Sequence, residues 1–187
     1  MALIGTALAN RNRGNHIITT QQEHHAALHT AEYLESAGFS VTYLPVYEDG
    51  KIKAEDVKEA LTDETILVSV MYVNNETGII QPVEEIGALL KNHSAYFHTD
   101  AVQAYGLLDI DVKQLGIDLL SVSAHKINGP KGIGFLYARE GIALQQLQFG
   151  GEQERKRRAG TENVVRAVGF QKAVQLALKE REQRNDL

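Results

Sequence analysis

Short apolar runs alternate with segments of helical periodicity along most of the 187-residue chain. The β-branched, mostly apolar run 65–73 is typical of a strand buried on both faces of a parallel sheet. The segment 24–37 instead repeats its apolar residues at helical spacing and ends at Gly38. The predicted strands are 16–20, 39–44, 65–73, 95–99, 118–123 and 134–137, and the predicted helices are 24–37, 54–61, 82–91 and a long one from 162 onward. Repeated strand–helix units predict an α/β fold with a mostly parallel central sheet flanked by helices in three layers (α/β/α).

Two helix starts have residues suited to them. Pro82 suits the first position of the helix 82–91, and Thr161 suits the N-cap of the last helix. The first ten residues are interpreted as helix and not as a signal peptide, because no basic segment precedes the apolar one. The last helix is expected to bury an apolar side made of Val164, Val165, Val168, Ala173, Val174 and Leu176.

Composition narrows the classes of function. The net charge of −5 and the pI of about 5.8 argue against a nucleic-acid-binding surface. The apolar runs are too short to cross a bilayer, so we expect no membrane association and a cytoplasmic location. The chain has no cysteine, which excludes disulfides, thiolate metal sites and a cysteine nucleophile within these residues.

Lys126 is the most informative single residue. It follows an apolar strand and precedes the glycine- and proline-rich turn 128–134. Lysine is the side chain that forms imines with carbonyl cofactors, and small neighbours let a flat ring approach. Pyridoxal 5′-phosphate (PLP) is the main candidate cofactor. A lysine in a turn is more often simply solvated.

Polar residues follow three of the predicted strands, namely Asn75, Asp100 and the pair His125–Lys126. Ligands of parallel sheets bind beyond the carboxyl ends of the strands, so these residues are expected to converge. Asp100 could pair with a protonated pyridine nitrogen, or it could simply cap the next turn. Gln103 could donate to a phenolic oxygen of the cofactor, or it could be a solvated amide.

Other polar groups allow the same two kinds of interpretation. His24 could stack on a pyridine ring and exchange protons, and Asn75 could bind a carboxylate or belong to an ordinary turn. Ser123 and His125 could bind phosphate. A metal site at His24, His25 and His29 is disfavoured, because no carboxylate or thiolate partners have suitable spacing. The basic run 155–158 could bind phosphate or a partner, or could be solvated.

Five segments together resemble the cysteine desulfurases of the NifS/IscS type, within the fold-type I PLP enzymes of the aminotransferase class V group. The segments occur in the family's order and span nearly the whole chain. They are TQQEHHA (20–26), VMYVNNETG (70–78), FHTDAVQ (97–103), SVSAHKINGPKGIG (121–134) and GGEQERKRRAGT (150–161).

The resemblance implies a role for each matching residue. Lys126 would form the imine with PLP and move protons, Asp100 would pair with the pyridine nitrogen, and His24 would stack on the ring as an acid or base. The remaining implied contacts are Gln103 with the phenolic oxygen, Asn75 with cofactor or substrate carboxylate, and Ser123 and His125 with the phosphate. Thr161 would reach the phosphate bound by a partner subunit, which implies a homodimer.

The implied reaction converts L-cysteine to L-alanine and passes sulfur, through an enzyme persulfide, to iron–sulfur scaffolds, tRNA thiolation or other acceptor proteins. The chain departs from the family in lacking the early phosphate-binding loop and the late loop with the cysteine nucleophile. We therefore expect residues 1–187 to be the central part of the PLP-binding large domain, without the N-terminal segment and the C-terminal small domain. We expect this chain to be inactive alone, with weak or absent PLP binding. The alternatives are a selenocysteine lyase or an aminotransferase of the same group, or a non-catalytic binding or dimerisation module.

Overall fold

The computed structural model describes the backbone of residues 1–185 and the side chains of residues 1–181. Six strands alternate with helices along the chain. The strands are β1 (His16–Thr20), β2 (Ser40–Leu44), β3 (Thr65–Ser69), β4 (Tyr96–Asp100), β5 (Leu119–Ser123) and β6 (Gly134–Ala138). The helices are α1 (Ala2–Ala9), α2 (His25–Ser36), α3 (Ala54–Ala60), α4 (Val83–Leu90), the short α5 (Gln153–Lys156) and α6 (Val164–Asn185), with a 3-10 helix at Ala124–Ile127.

The strands form one sheet in the order β2-β1-β3-β4-β5-β6. The first five strands are parallel, and β6 pairs antiparallel with β5. This arrangement confirms the predicted mostly parallel α/β fold. Helix α1, predicted from the first ten residues, is also present.

The core lies on both faces of the sheet, because successive strand residues point to opposite sides. On one face, Ile18, Val68 and Phe97 pack in a cluster that includes residues of α3, α4 and α6. On the other face, neighbouring strand residues such as Ile17 and Leu67 pack with residues of α1 and α2. Helices therefore cover both faces, as the three-layer prediction required.

The strand predicted over 65–73 ends at Ser69. The next residues still follow β4, since Val70 N–H donates to the His98 carbonyl and Tyr72 N–H to the Asp100 carbonyl. Val73 then forms an isolated bridge with Ile80, which closes the loop between them. Pro82 precedes α4 instead of opening it, because its carbonyl accepts the Ile86 N–H at 3.0 Å from the N-cap position.

The start of α6 and its buried side both differ from the prediction. Asn163, not Thr161, lies next to the helix start and accepts the Arg166 N–H on its Oδ1 at 3.1 Å. Four of the six residues expected on the buried side are exposed: Val164 (67%), Val165 (84%), Val168 (59%) and Leu176 (41%). Ala173 is buried and Val174 is partly buried, as expected. The buried side consists of Phe170, Ala173 and Ala177, since small side chains at this spacing let α6 approach Gly106 and Gly129 closely. No helix in the described part of the chain combines the length and apolarity needed to cross a membrane.

Candidate functional site

The candidate site lies at the carboxyl ends of β1, β3, β4 and β5, which are consecutive neighbours in the sheet. Because these strands are parallel, the residues that follow them share one edge. Glu23 and His24 follow β1, Asn75 follows β3, Asp100 ends β4, and His125 and Lys126 follow β5. The topology therefore brings the predicted strand-end residues to one edge of the sheet.

Asp100 keeps one carboxylate oxygen free. Its Oδ1 accepts the Val102 N–H at 2.9 Å, so Asp100 does cap the following turn. Oδ2 forms no hydrogen bond with any described residue. Burial raises the pKa of Asp100, and the Val102 N–H and the charge of His24 oppose that rise. The free oxygen can accept a hydrogen bond from a cationic N–H group.

His24 is held by the start of α2. Its Nδ1 accepts the Ala26 N–H at 3.1 Å, which makes this imidazole the N-cap of the helix. Histidine is an unusual N-cap, and the sequence pattern does not predict this role. The residue is exposed, so the ring can still contact a ligand next to Asp100.

Lys126 lies in the 3-10 helix that directly follows β5. The helix ends at Asn128, which has a positive φ of 61°, and Gly129 N–H donates back to the Ala124 carbonyl at 2.9 Å. A Cβ on Gly129 would lie 2.9 Å from that carbonyl, so a larger residue would not fit this turn. The Lys126 side chain is exposed, and its amine has no hydrogen bond or ion pair with the described residues.

Ser123 and His125 bind each other. The Ser123 Oγ lies 2.9 Å from the His125 Nδ1, next to Lys126. The pair places a hydroxyl and an imidazole on the same turn, which suits a phosphate group.

The rings of His25 and His29 stack with centroids 5.0 Å apart. Within the described residues, no group of three His, Asp or Glu side chains is arranged to hold a metal ion.

The loop after β3 is organised by Asn74, the residue before the predicted ligand contact Asn75. Asn74 is buried, donates to the Gln22 carbonyl at 3.1 Å, and accepts the N–H groups of Glu76 and Thr77. Asn75 donates only to the neighbouring Glu76 carboxylate, on the exposed side. Asn74 therefore joins this loop to the segment after β1, and the Asn75 amide makes no contact outside the loop.

Gln103 and Thr161 differ in position. Gln103 is partly buried in the turn that directly follows Asp100. Thr161 is exposed and lines a groove of about 850 Å³ beside β6, together with Arg155, Arg157 and Arg158. The described lining of that groove includes none of His24, Asp100 and Lys126. Within one chain, Thr161 is thus not brought to the other predicted residues.

Glu23 is the site residue that the sequence analysis missed. It is 4% exposed, and burial raises its pKa to about 8. Its Oε1 accepts the Met71 N–H at 2.7 Å and the Thr20 hydroxyl at 3.0 Å. A carboxylate beside histidines and glutamines carries no sequence signal of burial, so only the packing identifies it.

Comparisons with known proteins agree with this arrangement. The chain is 63% identical over 186 residues to a protein named putative cysteine desulfurase IscS 1 of Bacillus subtilis (strain 168), covering 100% of this chain and 49% of that protein. A solved structure named NifS-like protein superimposes with a TM-score of 0.93 at 41% identity, over 97% of this chain and 50% of the other. A second one, named SspA in complex with cysteine, has a TM-score of 0.90 at 44% identity, over 93% and 51%.

The chain thus spans about half the length of the curated relatives it matches. The sequence pattern described as aminotransferase class-V matches residues 1–185, which is nearly the whole chain. The folded arrangement of strand-end residues agrees with that match, and the chain belongs to the class-V aminotransferase family.

Proposed function

We propose that residues 1–187 are part of the PLP-binding large domain of a cysteine desulfurase. The observation that carries the proposal is that two polar atoms without partners among the described residues occur at the ends of adjacent strands. The Asp100 carboxylate on β4 has an unbonded oxygen, and the Lys126 amine beyond the neighbouring β5 has no partner among the described residues. A cofactor with both a basic ring nitrogen and a carbonyl carbon would use both groups.

The donor set fits PLP. Asp100 Oδ2 would accept the N–H of the ring nitrogen, His24 would pack on the ring, and Ser123 with His125 would hold the phosphate. Gln103 would contact the phenolic oxygen, and Asn75 the cofactor or the substrate carboxylate. When bound, PLP supplies an electron sink for the carbon next to the substrate amine.

The protein side of the chemistry is proton handling. Lys126 would hold the cofactor through its carbonyl carbon and then carry the proton that leaves the substrate Cα. His24 would act as the second acid or base, since its imidazole is exposed next to Asp100 and fixed at Nδ1 by the Ala26 N–H. Fixing Nδ1 leaves Nε2 as the nitrogen that can exchange a proton with a ligand.

The substrate proposed is L-cysteine, because the similar structure of SspA is a complex with cysteine. The product would be L-alanine, and the sulfur would pass to a cysteine thiol as a persulfide. These 187 residues contain no cysteine, so that thiol must come from elsewhere. We accordingly propose that this chain alone does not turn over L-cysteine.

Partners follow from the same proposal. Thr161 lies in the β6 groove, away from Asp100 and Lys126, which fits a role toward the phosphate bound by a second subunit in a homodimer. The exposed valines at the start of α6 leave an apolar surface near that groove. The proposed sulfur acceptors are proteins of iron–sulfur cluster assembly or tRNA thiolation, and the proposed location is the cytoplasm.

The test is a titration of the purified chain with PLP, followed by visible absorbance. We expect a new band with the wild type and with Lys131→Ala, an exposed lysine of the same turn, and no band with Lys126→Ala. Borohydride reduction followed by peptide mass analysis should place the cofactor on Lys126. A band of equal strength in Lys126→Ala would refute the assignment of Lys126. No band in any variant would mean that these 187 residues alone hold no working cofactor site.

A further inference from the structure

Glu23 connects three elements at the candidate site. It follows β1 and directly precedes His24, the N-cap of α2. Its Oε1 accepts the N–H of Met71, in the segment after β3, and the hydroxyl of Thr20 at the end of β1. Met71 precedes Tyr72, whose N–H donates to the Asp100 carbonyl at 2.9 Å. Glu23 is thus adjacent to His24 in sequence, and it is connected to Asp100 through the hydrogen-bonded segment Met71–Tyr72.

The second oxygen of this carboxyl group has no partner. The Glu23 Oε2 is buried and forms no hydrogen bond with the described residues. An ionised carboxylate left in this state would bear an unpaired buried charge, which is costly. A protonated carboxyl group needs no counter-charge, and its Oε1 still accepts both hydrogen bonds.

We propose that Glu23 is a positioning residue, whose carboxyl group fastens the His24 turn to the segment after β3. The ligand that His24 would contact comes from the proposed function. The contacts of Glu23 itself are present in the chain without ligand. Without Glu23, the Met71 N–H would lose its acceptor, and the turn at His24 would lose its connection to the segment after β3.

A neutral Glu23 avoids a second buried negative charge near Asp100. Burial raises the pKa of Glu23 to about 8, and the charge of Asp100 raises it further, while the Met71 and Thr20 hydrogen bonds oppose the rise. Asp100 on β4 also interacts with His24 on α2. At neutral pH the proton therefore stays on Glu23, so this buried carboxyl group adds no negative charge beside Asp100.

The first experiment follows the glutamate carboxyl carbons by NMR in isotope-labelled protein without ligand. The resonance that disappears in Glu23→Gln identifies Glu23. We expect it to titrate with an apparent pKa near 8, well above the ordinary glutamate value. A Glu23 carboxyl group that is already ionised at pH 6 would contradict the proposed neutral state of this positioning residue.

The second experiment measures hydrogen exchange of the Met71 and Ala26 amides, again without ligand. Glu23→Gln keeps an acceptor oxygen and should leave exchange unchanged. Glu23→Ala should speed it by roughly tenfold or more, because the buried Met71 N–H loses its partner. Glu32→Ala, an exposed glutamate on α2, is the matched control and should change neither amide. Unchanged exchange in Glu23→Ala, or equal acceleration in Glu23→Gln, would overturn the proposal.

The third experiment repeats the PLP titration with the same variants. Glu23→Gln should bind within about threefold of wild type, and Glu23→Ala at least about tenfold more weakly. If wild type and Glu23→Ala bind PLP equally well, the positioning role fails while the proposed function stands. If wild type binds no PLP, this chain alone forms no working cofactor site, and the resonances and amide exchange still decide whether Glu23 positions the turn.

Discussion

At the scale of single residues, two buried titratable groups make stability depend on pH in opposite directions. His98 is 2% exposed in the middle of β4, and its ring nitrogens lie 2.8 Å from Ser69 Oγ and 2.9 Å from Ser121 Oγ. The two hydroxyls link β3, β4 and β5 through one neutral imidazole. Burial, with a smaller effect of the N-terminal charge, lowers the pKa of His98 to about 3.

We predict that His98 makes the protein less stable in mild acid. Its pKa of about 3 in the folded state lies below the ordinary 6.5, so the unfolded chain binds more protons between these values. The contribution of His98 is complete above pH 6.5 and falls, on the order of 1 kcal/mol per pH unit, as the pH decreases through this range. Urea unfolding at several pH values measures the slope.

The matched variants are His98→Gln and His29→Gln. His98→Gln should be less stable at neutral pH, because it loses contacts with two serines, and the difference in stability between wild type and variant should shrink as the pH decreases from 6.5 toward 3. His29 is exposed on α2, so His29→Gln should retain the wild-type slope. A wild-type slope in His98→Gln would mean that another group controls the acid response.

Glu23 acts in the other direction. Its folded pKa of about 8 exceeds the ordinary value of 4.5, so the folded state binds the extra proton between these values. The contribution of Glu23 is complete below pH 4.5 and is lost as the pH rises toward 8. The two opposite slopes cancel between pH 4.5 and 6.5, so together the two residues favour greatest stability in this acidic range.

At the scale of elements, a glycine lets α4 lie directly against the segment that precedes β5. A Cβ on Gly87 would lie 1.9 Å from the carbonyl oxygen of Leu115. A Cβ on Gly116, which has a φ of +64°, would in turn lie 3.1 Å from the Gly87 carbonyl oxygen, so both glycines allow the same close crossing. The helix is short and relies on this contact and on buried Val83, Ile86 and Leu90.

We predict that Gly87→Ala destabilises the protein, although alanine is the better helix former by about 1 kcal/mol. Overpacking against Leu115 should cost about 1–3 kcal/mol in the free energy of unfolding. Ala88→Gly, an exposed change in the same turn, should cost about 1 kcal/mol through helix propensity alone. Urea unfolding compares the two, and a Gly87→Ala protein as stable as wild type would show that α4 can shift.

At the scale of the whole molecule, the apolar surface is unevenly covered. Phe149, Val164, Val165 and Val168 are exposed, and β6 has one strand neighbour among the described residues. Isolated exposed apolar residues are ordinary, but a group of them beside an open strand marks a contact surface. This surface supports the proposed homodimer, in which Thr161 would serve the other subunit.

We predict that the chain forms no persulfide on itself when it is incubated with L-cysteine and PLP, since it contains no thiol. Intact-protein mass spectrometry and a sulfide assay measure the outcome, with a full-length cysteine desulfurase as the positive control. Sulfide production that disappears in Lys126→Ala would contradict the prediction, and would require a route to sulfur release without an enzyme cysteine.

Much of the fold follows from local pattern. The order of strands and helices, the parallel sheet and the strand-end positions of Asp100 and Lys126 were all predictable, because apolar periodicity and glycine turns are local properties. The predicted roles of those residues stay predictions. Thr161 as a helix cap and the buried valines of α6 were wrong, since capping and burial depend on where the helix meets the rest of the molecule.

The amino-acid sequence alone was enough to establish the α/β class, the motifs that resemble the family and the absence of any thiol. It could not establish which polar groups are buried. Glu23 meets Met71 across 48 residues of chain, and Asn74 meets Gln22 across 52. Such contacts exist only once β1 and β3 are neighbours in the sheet. Packing between distant segments therefore decided the contacts of Glu23, the contacts of Asn74 and the exposed face of α6. Local sequence patterns contain no information about such packing.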